Sequence, residues 1–425
     1  MTSPNVEAAL QAARDQPATG YINLLQNIHT LSQGTPETLA TDLQSILDEI
    51  LNANLGVVTT RAIIVEFVSA LKSQTAFSSN RDLTIQVGNY GVRAISDKTS
   101  LSSSLIDQTS NLRDLVATAH ENNEDFLQAA RTLSEIPVDT SQRRLADNEK
   151  AAIWVRIVRY YLEVDDATSA EMYLNKLKNI MHNVADPVLN LHFKLSVARI
   201  QDSNRQFLQA ARSYHDLSFF PDIDEEERLH TLSMAIKCAI LAPAGPMRSR
   251  ALASLYKDER SVGLEEHGIL EKMFLDRLID QREVEKFAQG LAPHQLAKTS
   301  DGSTVLARAV SEHNLLSAGR LYSNIGFDEL GVLLGVSGDK AEDMTAKMIE
   351  QGRLKASMDQ IDRIIYFEAG EASGERGSGH AELVVGKEMR RWDANVQAAT
   401  EDVERVADLL QTEFPEFVAA HLTVV

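Results

Sequence analysis

The hexapeptide Phe126-Leu127-Gln128-Ala129-Ala130-Arg131 returns letter for letter as Phe207-Leu208-Gln209-Ala210-Ala211-Arg212, an offset of 81 residues. Halving that offset lands on Ala167, from which Ala170, Tyr173, Leu174 and Leu177 mark one apolar face of a helix; one further step of 40 reaches Met247. A period of about forty residues points to a repeat architecture; the competing reading is a coincidental hexapeptide inside an ordinary helical domain. Each period carries two helical patterns. Ile153, Trp154, Ile157, Val158, Tyr161 and Leu162 share a stripe, and after the polar turn Glu163-Val164-Asp165-Asp166 a second runs through Ala170, Tyr173, Leu177 and Met181. The next pair repeats this with Leu189, Phe193, Val197 and Ile200, then Phe207, Ala210, Tyr214 and Leu217. Small alanines at the matched position of the second helix let stacked axes approach closely. Hairpins of this length stack into a solenoid of the tetratricopeptide or HEAT kind, each burying its apolar face against its neighbours. Upstream, Thr35-Pro36-Glu37 reads as an N-cap with Pro at the first helical position, followed by the stripe Leu39, Leu43, Ile46, Leu47, Ile50.

From Leu321 the pattern changes. Residues 327–334 read as a short helix, Ser337-Gly338-Asp339 as a turn, and 340–350 as a second helix with Ala341, Met344 and Met348 inward, ended by Gly352. Residues 354–358 and 363–367 read as two strands joined by Asp359-Gln360-Ile361-Asp362. Helix, turn, helix and β-hairpin is the order of a winged helix. Residues 369–380 are rich in Gly, Glu and Ser, hence a flexible linker. The last segment is a long helix in which Val385, Met389, Trp392, Val396, Ala399, Val403, Val406 and Leu410 alternate spacings of four and three. This is a heptad stripe that wants a helical partner, either on other chains, as the freeing linker suggests, or on its own domain.

The expected fold is mainly α: a right-handed helical-hairpin solenoid over 1–290, a helix plus winged helix over 291–368, the linker 369–380, and a terminal bundle helix over 381–425. With 425 residues, 44% apolar and 24% charged, the chain has the composition of folded globular proteins. Its net charge of −19 argues against general affinity for phosphate backbones and points to protein partners. No secretory signal or membrane span is apparent, and the single cysteine allows no internal disulfide, so the nucleus and cytoplasm are the expected compartments.

Catalytic patterns are missing. There is no His-Glu-x-x-His, no Gly-x-Ser-x-Gly elbow, no phosphate loop and no dinucleotide fingerprint, and the histidines are scattered singly. No catalytic residue, metal or cofactor is expected. Cys238, inside Met234-Ala235-Ile236-Lys237-Cys238-Ala239-Ile240-Leu241, reads as a small core hydrophobe. Residues 340–350 carry three carboxylates against two lysines, which opposes docking of this helix in a DNA groove. The acidic run 222–227 reads as an N-cap and first turn complementary to the helix dipole.

A helical-hairpin solenoid running into a winged helix and a lone terminal helix resembles the PCI family, shared by the proteasome lid, the COP-nine signalosome and translation initiation factor three. Three stretches narrow the resemblance to signalosome members. They are Asn148-Glu149-Lys150 through Tyr160-Tyr161-Leu162-Glu163, the run from Ala235 to Tyr256-Lys257-Asp258-Glu259-Arg260, and Ser323-Asn324-Ile325-Gly326-Phe327 to Asp359-Gln360-Ile361-Asp362. Glu312-His313-Asn314-Leu315-Leu316 is similar too. The resemblance implies a non-catalytic scaffold and substrate-gripping subunit of the complex that removes a ubiquitin-like modifier from cullins of cullin-RING ligases, with the hydrolysis done by a zinc metalloprotease sibling. Implied partners are other PCI and metalloprotease-like subunits and the cullin-RING ligase, with no nucleic acid and no membrane. It also implies a protein-binding sheet edge at Ala356, Ile364 and Tyr366, and a helical bundle joined through Met389, Trp392, Val396, Val403, Val406 and Leu410. Loop 293–303, with His294, Thr299 and Asp301, corresponds to a segment that relays substrate binding. The alternatives are a paralogous proteasome-lid subunit and, in another class, a winged-helix nucleic-acid-binding protein.

Overall fold

A computed structural model of the chain describes residues 3–15, 17–28, 36–53, 55–73, 81–98, 102–140, 143–298, 302–367 and 385–421. The chain divides into two compact units, Met1–Ser213 and Tyr214–Val425. The first unit holds α1 (Pro4–Asp15), α2 (Pro17–Gln26), α3 (Pro36–Asn52), α4 (Val57–Ser73), α5 (Arg81–Asp97), α6 (Ile106–Asn122) and α7 (Phe126–Ser134). A two-stranded antiparallel ribbon follows, β1 (Asp139–Thr140) and β2 (Arg143–Arg144), then α8 (Asp147–Glu163), α9 (Ala167–Ile180), α10 (Pro187–Ser203) and α11 (Phe207–Leu217), which crosses the division.

The sequence period reappears as backbone geometry. The first helices of three successive hairpins, α6, α8 and α10, are each 17 residues long. Between first and second helices, Glu124, Asp165 and Arg205 take left-handed φ values of 64°, 59° and 58°. The amides of Asp125, Asp166 and Gln206 then donate back to the carbonyls of His120, Tyr161 and Gln201 at 3.0, 2.9 and 2.8 Å. This is a Schellman-type stop made three times without glycine; the satisfied helix-end carbonyls offset a left-handed cost of roughly 1 kcal/mol per site. Ala129, Ala170 and Ala210, at the matched point of each second helix, are all fully buried, as the close approach of helices requires.

Trp154, Ile157, Val158 and Leu162 of α8 form one core with Tyr173, Leu174 and Leu177 of α9. Ile153 and Tyr161 of the expected stripe are only partly buried, and Tyr160, one position off it, is buried instead. Its hydroxyl donates to Glu121 of α6 at 2.5 Å and accepts from Arg156 at 3.0 Å, while Arg156 reaches Asp114 at 2.6 Å. Burial, with the Glu121 hydrogen bond adding to it, pushes the Tyr160 pKa up to about 12, so the hydroxyl stays a donor. At the N-terminal end, Leu43, Ile46, Leu47 and Ile50 of α3 are buried as expected; the capping residue Thr35 lies outside the described residues. A Cβ on Gly88 of α5 would collide with Val116 of α6, so the approach of these two helices depends on that glycine.

The second unit contains α12 (Glu225–Leu241), α13 (Pro246–Tyr256), α14 (His267–Phe274), α15 (Gln281–Ala288) and α16 (Val305–Leu321). The winged-helix elements come next: β3 (Asn324–Gly326), α17 (Phe327–Leu334), α18 (Gly338–Glu350), β4 (Ala356–Asp359) and β5 (Ile364–Phe367). α19 (Val385–Glu413) and α20 (Pro415–His421) end the described chain. The helix α12 is again 17 residues long, its first turn holds Glu225, Glu226 and Glu227, and Cys238 lies buried within it. The boundary drawn from sequence at residue 290 falls after α15, inside this unit. The expected linker 369–380 lies outside the described residues.

The sheet corrects one expectation. It has three strands rather than two, all antiparallel, in the order β3-β5-β4. Ile364 and Tyr366 therefore sit on the central strand, whose backbone is paired on both sides, and 363–367 cannot be an edge. The edges are β4, which carries Ala356, and β3. The reason is length: Asn324-Ile325-Gly326 is too short to show the alternation by which a strand is read from sequence. In register, Ile365 lies between Ile325 and Met358 and is fully buried under the helices, with Tyr366 pointing the other way and exposed.

Candidate functional site

The terminal helix α19 presents a long bare apolar stripe. Every described side chain from Asn395 to Leu409 is exposed. Along the heptad stripe Trp392 and Val403 are each 68% exposed, Val396 and Val406 are open to about half their area, and Leu410 is partly covered. The side chain of Met389 lies outside the described residues. Phe414 and Phe417 extend the exposed apolar run onto α20. A contiguous stripe of this kind is rare on a protein meant to stay alone, and its four-three spacing is the one that seats knobs into the holes of a facing helix.

The winged-helix sheet offers β4 and β3 as edges. The β4–β5 turn is stiffened by Asp359, whose Oδ1 accepts from the amides of Ile361 at 2.9 Å and Asp362 at 3.2 Å. Arg363, at φ 54°, anchors it to Asp328 at 3.3 Å and Asp339 at 3.2 Å. A fixed turn next to an open backbone edge favours strand addition by a neighbour, because little of that edge remains to be ordered.

Of the loop residues, His294 is half-buried beside Gln295, whose side chain accepts from the Ala292 amide at 3.2 Å. Thr299 and Asp301 lie outside the described residues. A bridge between Lys298 and Thr304 closes the loop onto the start of α16.

What holds the winged helix to the preceding helices was not read from sequence. Glu312 on α16 is 3% exposed and takes four hydrogen bonds. Arg353 donates to it twice, at 2.5 and 3.1 Å, Arg308 once at 3.0 Å, and the Ala244 amide once at 3.2 Å. Arg353 also donates to the Ala244 carbonyl at 3.2 Å, so one residue clamps the loop before α13 to the segment after α18. Burial works to raise the Glu312 pKa, but the Arg353 and Arg308 contacts outweigh it and hold the carboxyl below its ordinary value. Arg248, fully enclosed, donates to the carbonyls of Ala242 at 3.2 Å and Ala309 at 3.4 Å, and burial brings its pKa down to about 10.

One residue along α16, His313 meets the Arg277 carbonyl at 2.9 Å, and Asn314 exchanges two hydrogen bonds with Ile279 at 3.0 and 3.2 Å. Burial, with Arg248 adding to it, pushes the His313 pKa down to about 4. The only sequence signal for this junction was the run of four polar residues Ser311-Glu312-His313-Asn314 in the middle of the helix. Among the described residues no group of three or more His, Cys, Asp or Glu is placed to hold a metal, and no helix is long and apolar enough to cross a membrane.

Family comparisons agree with this architecture. Residues 5–226 match the model described as PSMD12/CSN4, N-terminal, and residues 264–369 match the PCI domain. The chain is 62% identical to COP9 signalosome complex subunit 4 of Neurospora crassa over 92% of its length and 91% of that protein's. It is 46% identical to the subunit 4 protein of Emericella nidulans, covering 91% of both chains, and 38% identical to that of Dictyostelium discoideum, covering 94% and 93%. The description of the N-terminal model names two proteins, and all three relatives carry the name of the second assembly's subunit: the chain belongs to the COP9 signalosome subunit 4 family of PCI-domain proteins.

Proposed function

We propose that this chain is a non-catalytic scaffold subunit of a COP9 signalosome, the complex that removes a ubiquitin-like modifier from cullins. The observation that carries the reading is the α19 stripe, in which Trp392, Val396, Val403 and Val406 stand exposed at heptad spacing. Its apolar face joins the terminal helices of sibling subunits in a common bundle, and the β4 edge at Ala356 pairs with a neighbouring winged helix. Isopeptide hydrolysis falls to a metalloprotease sibling; this chain supplies position, and its helical hairpins grip the cullin-RING ligase. The 293–303 loop, with His294, Thr299 and Asp301, faces the metalloprotease-like subunits and passes substrate binding on to them. The working compartments are nucleus and cytoplasm.

The test is assembly in the native source. Tagged full-length chain should co-purify with the remaining signalosome subunits and with deneddylating activity, and a chain ending at residue 384 should lose most of both. Undiminished co-purification of the shortened chain would remove α19 from the assembly.

A further inference from the structure

A cavity of about 350 Å³ opens between α16 and α18. Its apolar floor includes Val336, Met344 and Met348. Four cations line it, Arg308, Lys340, Lys347 and Arg353, against two carboxylates, Glu312 and Asp343, a local balance of +2 in a chain of −19. Glu312 is already committed to Arg353 and Arg308. Lys340 and Lys347 are exposed and take no ion pair or hydrogen bond among the described residues. Seven residues apart on one helix, they share a face, while Glu342 of the same helix is engaged away from them by Gln360 at 2.7 Å. Thus a helix that counts as acidic along the sequence is basic on the face it turns to the cavity.

We infer that this cavity is a docking site for a short acidic peptide segment of a partner protein, in which Asp or Glu flanks an apolar residue. The carboxylates meet Lys340, Lys347 and the outer guanidinium nitrogens of Arg308, and the apolar side chain rests on the two methionines, whose flexible thioethers adapt to it. A nucleic acid is the poorer match. Phosphate-backbone affinity grows with the number of contacts along a basic stripe, whereas these cations are confined to one cavity on a helix that also exposes Asp339, Asp343 and Glu350. This surface is separate from the α19 stripe and from the sheet edges, so the inference stands or falls independently of how the complex assembles.

The test uses the full-length chain and a short fluorescein-labelled peptide in which Asp and Glu alternate with Leu and Phe, followed by fluorescence anisotropy at low salt. The expected result is saturable binding that weakens by roughly tenfold or more in the Lys340→Glu/Lys347→Glu variant, since two attractive contacts become repulsive. Both positions are exposed, so the variant should keep the wild-type circular dichroism spectrum. Ala307→Trp, which fills the cavity mouth without changing charge, should weaken binding similarly. The inference is overturned by absence of binding, by equal affinity in both variants, or by tighter binding of a single-stranded oligonucleotide of the same charge, which would assign the cations to phosphate backbones.

Discussion

Replacing Glu312 with Gln tests the reasoning about the junction most directly, because it removes a charge and changes almost nothing else. The carboxylate holds two bonds from Arg353, one from Arg308 and one from the Ala244 amide while almost wholly enclosed. The amide of Gln can accept only on one oxygen and turns a donor toward guanidinium groups, leaving the Arg353 charge, 11% exposed, without its counter-ion. Breaking one partner of a buried pair costs about 3–5 kcal/mol, against roughly 0–1 kcal/mol for a solvated surface pair. For a unit the size of 214–425, each kcal/mol moves Tm by roughly 2–4 °C, so the transition of that unit should fall by roughly 6–20 °C. Calorimetry supplies the Tm, and hydrogen exchange at α16, α18 and the 242–245 loop localises the loosening. A double-mutant cycle with Arg353→Met should show the double variant costing at least about 1 kcal/mol less than the sum of the singles, since the orphaned charge is gone. A Tm change below about 2 °C, or strictly additive costs, would refute the view that this pair clamps the winged helix.

Three further outcomes follow from the same structure. Val396→Asp with Val403→Asp should leave Tm nearly unchanged, within about 0.5 kcal/mol per site, because both side chains are exposed in the free chain, yet should abolish recovery of sibling subunits in a pull-down. Ala170→Leu, at a fully buried repeat position, should cost roughly 1–3 kcal/mol through overpacking, read as a lower urea midpoint at constant slope; wild-type stability would contradict the close-packed repeat. His313, its pKa lowered to about 4, is neutral when folded and binds its proton more readily when unfolded. Its contribution is therefore present above the unfolded value of about 6.5 and lost as pH falls from there toward 4, amounting to about 3 kcal/mol at the low end. His313→Gln should flatten the stability profile across that window, and a profile parallel to wild type would assign the acid sensitivity elsewhere.

The sequence by itself determined the elements and their order. A forty-residue period, the alanines at 129, 170 and 210, the winged-helix succession after Leu321 and the heptad stripe of α19 are all written in spacings of a few residues, because helix and hairpin formation are governed by local periodicity. Even the left-handed stops at Glu124, Asp165 and Arg205 fall on that period, though nothing in those three side chains announces them. Only the tertiary structure decided adjacency between distant segments. It placed β3 beside β5 and so took Ile364 and Tyr366 off the sheet edge, leaving Ala356 on it. It brought Arg353 to Ala244 across 109 residues and to Glu312 across 41. It also turned two lysines of an acidic helix onto one cavity with Arg308 and Arg353. Strand order and charge pairing depend on which surfaces meet once the chain is packed, and no spacing along a one-dimensional sequence encodes that meeting.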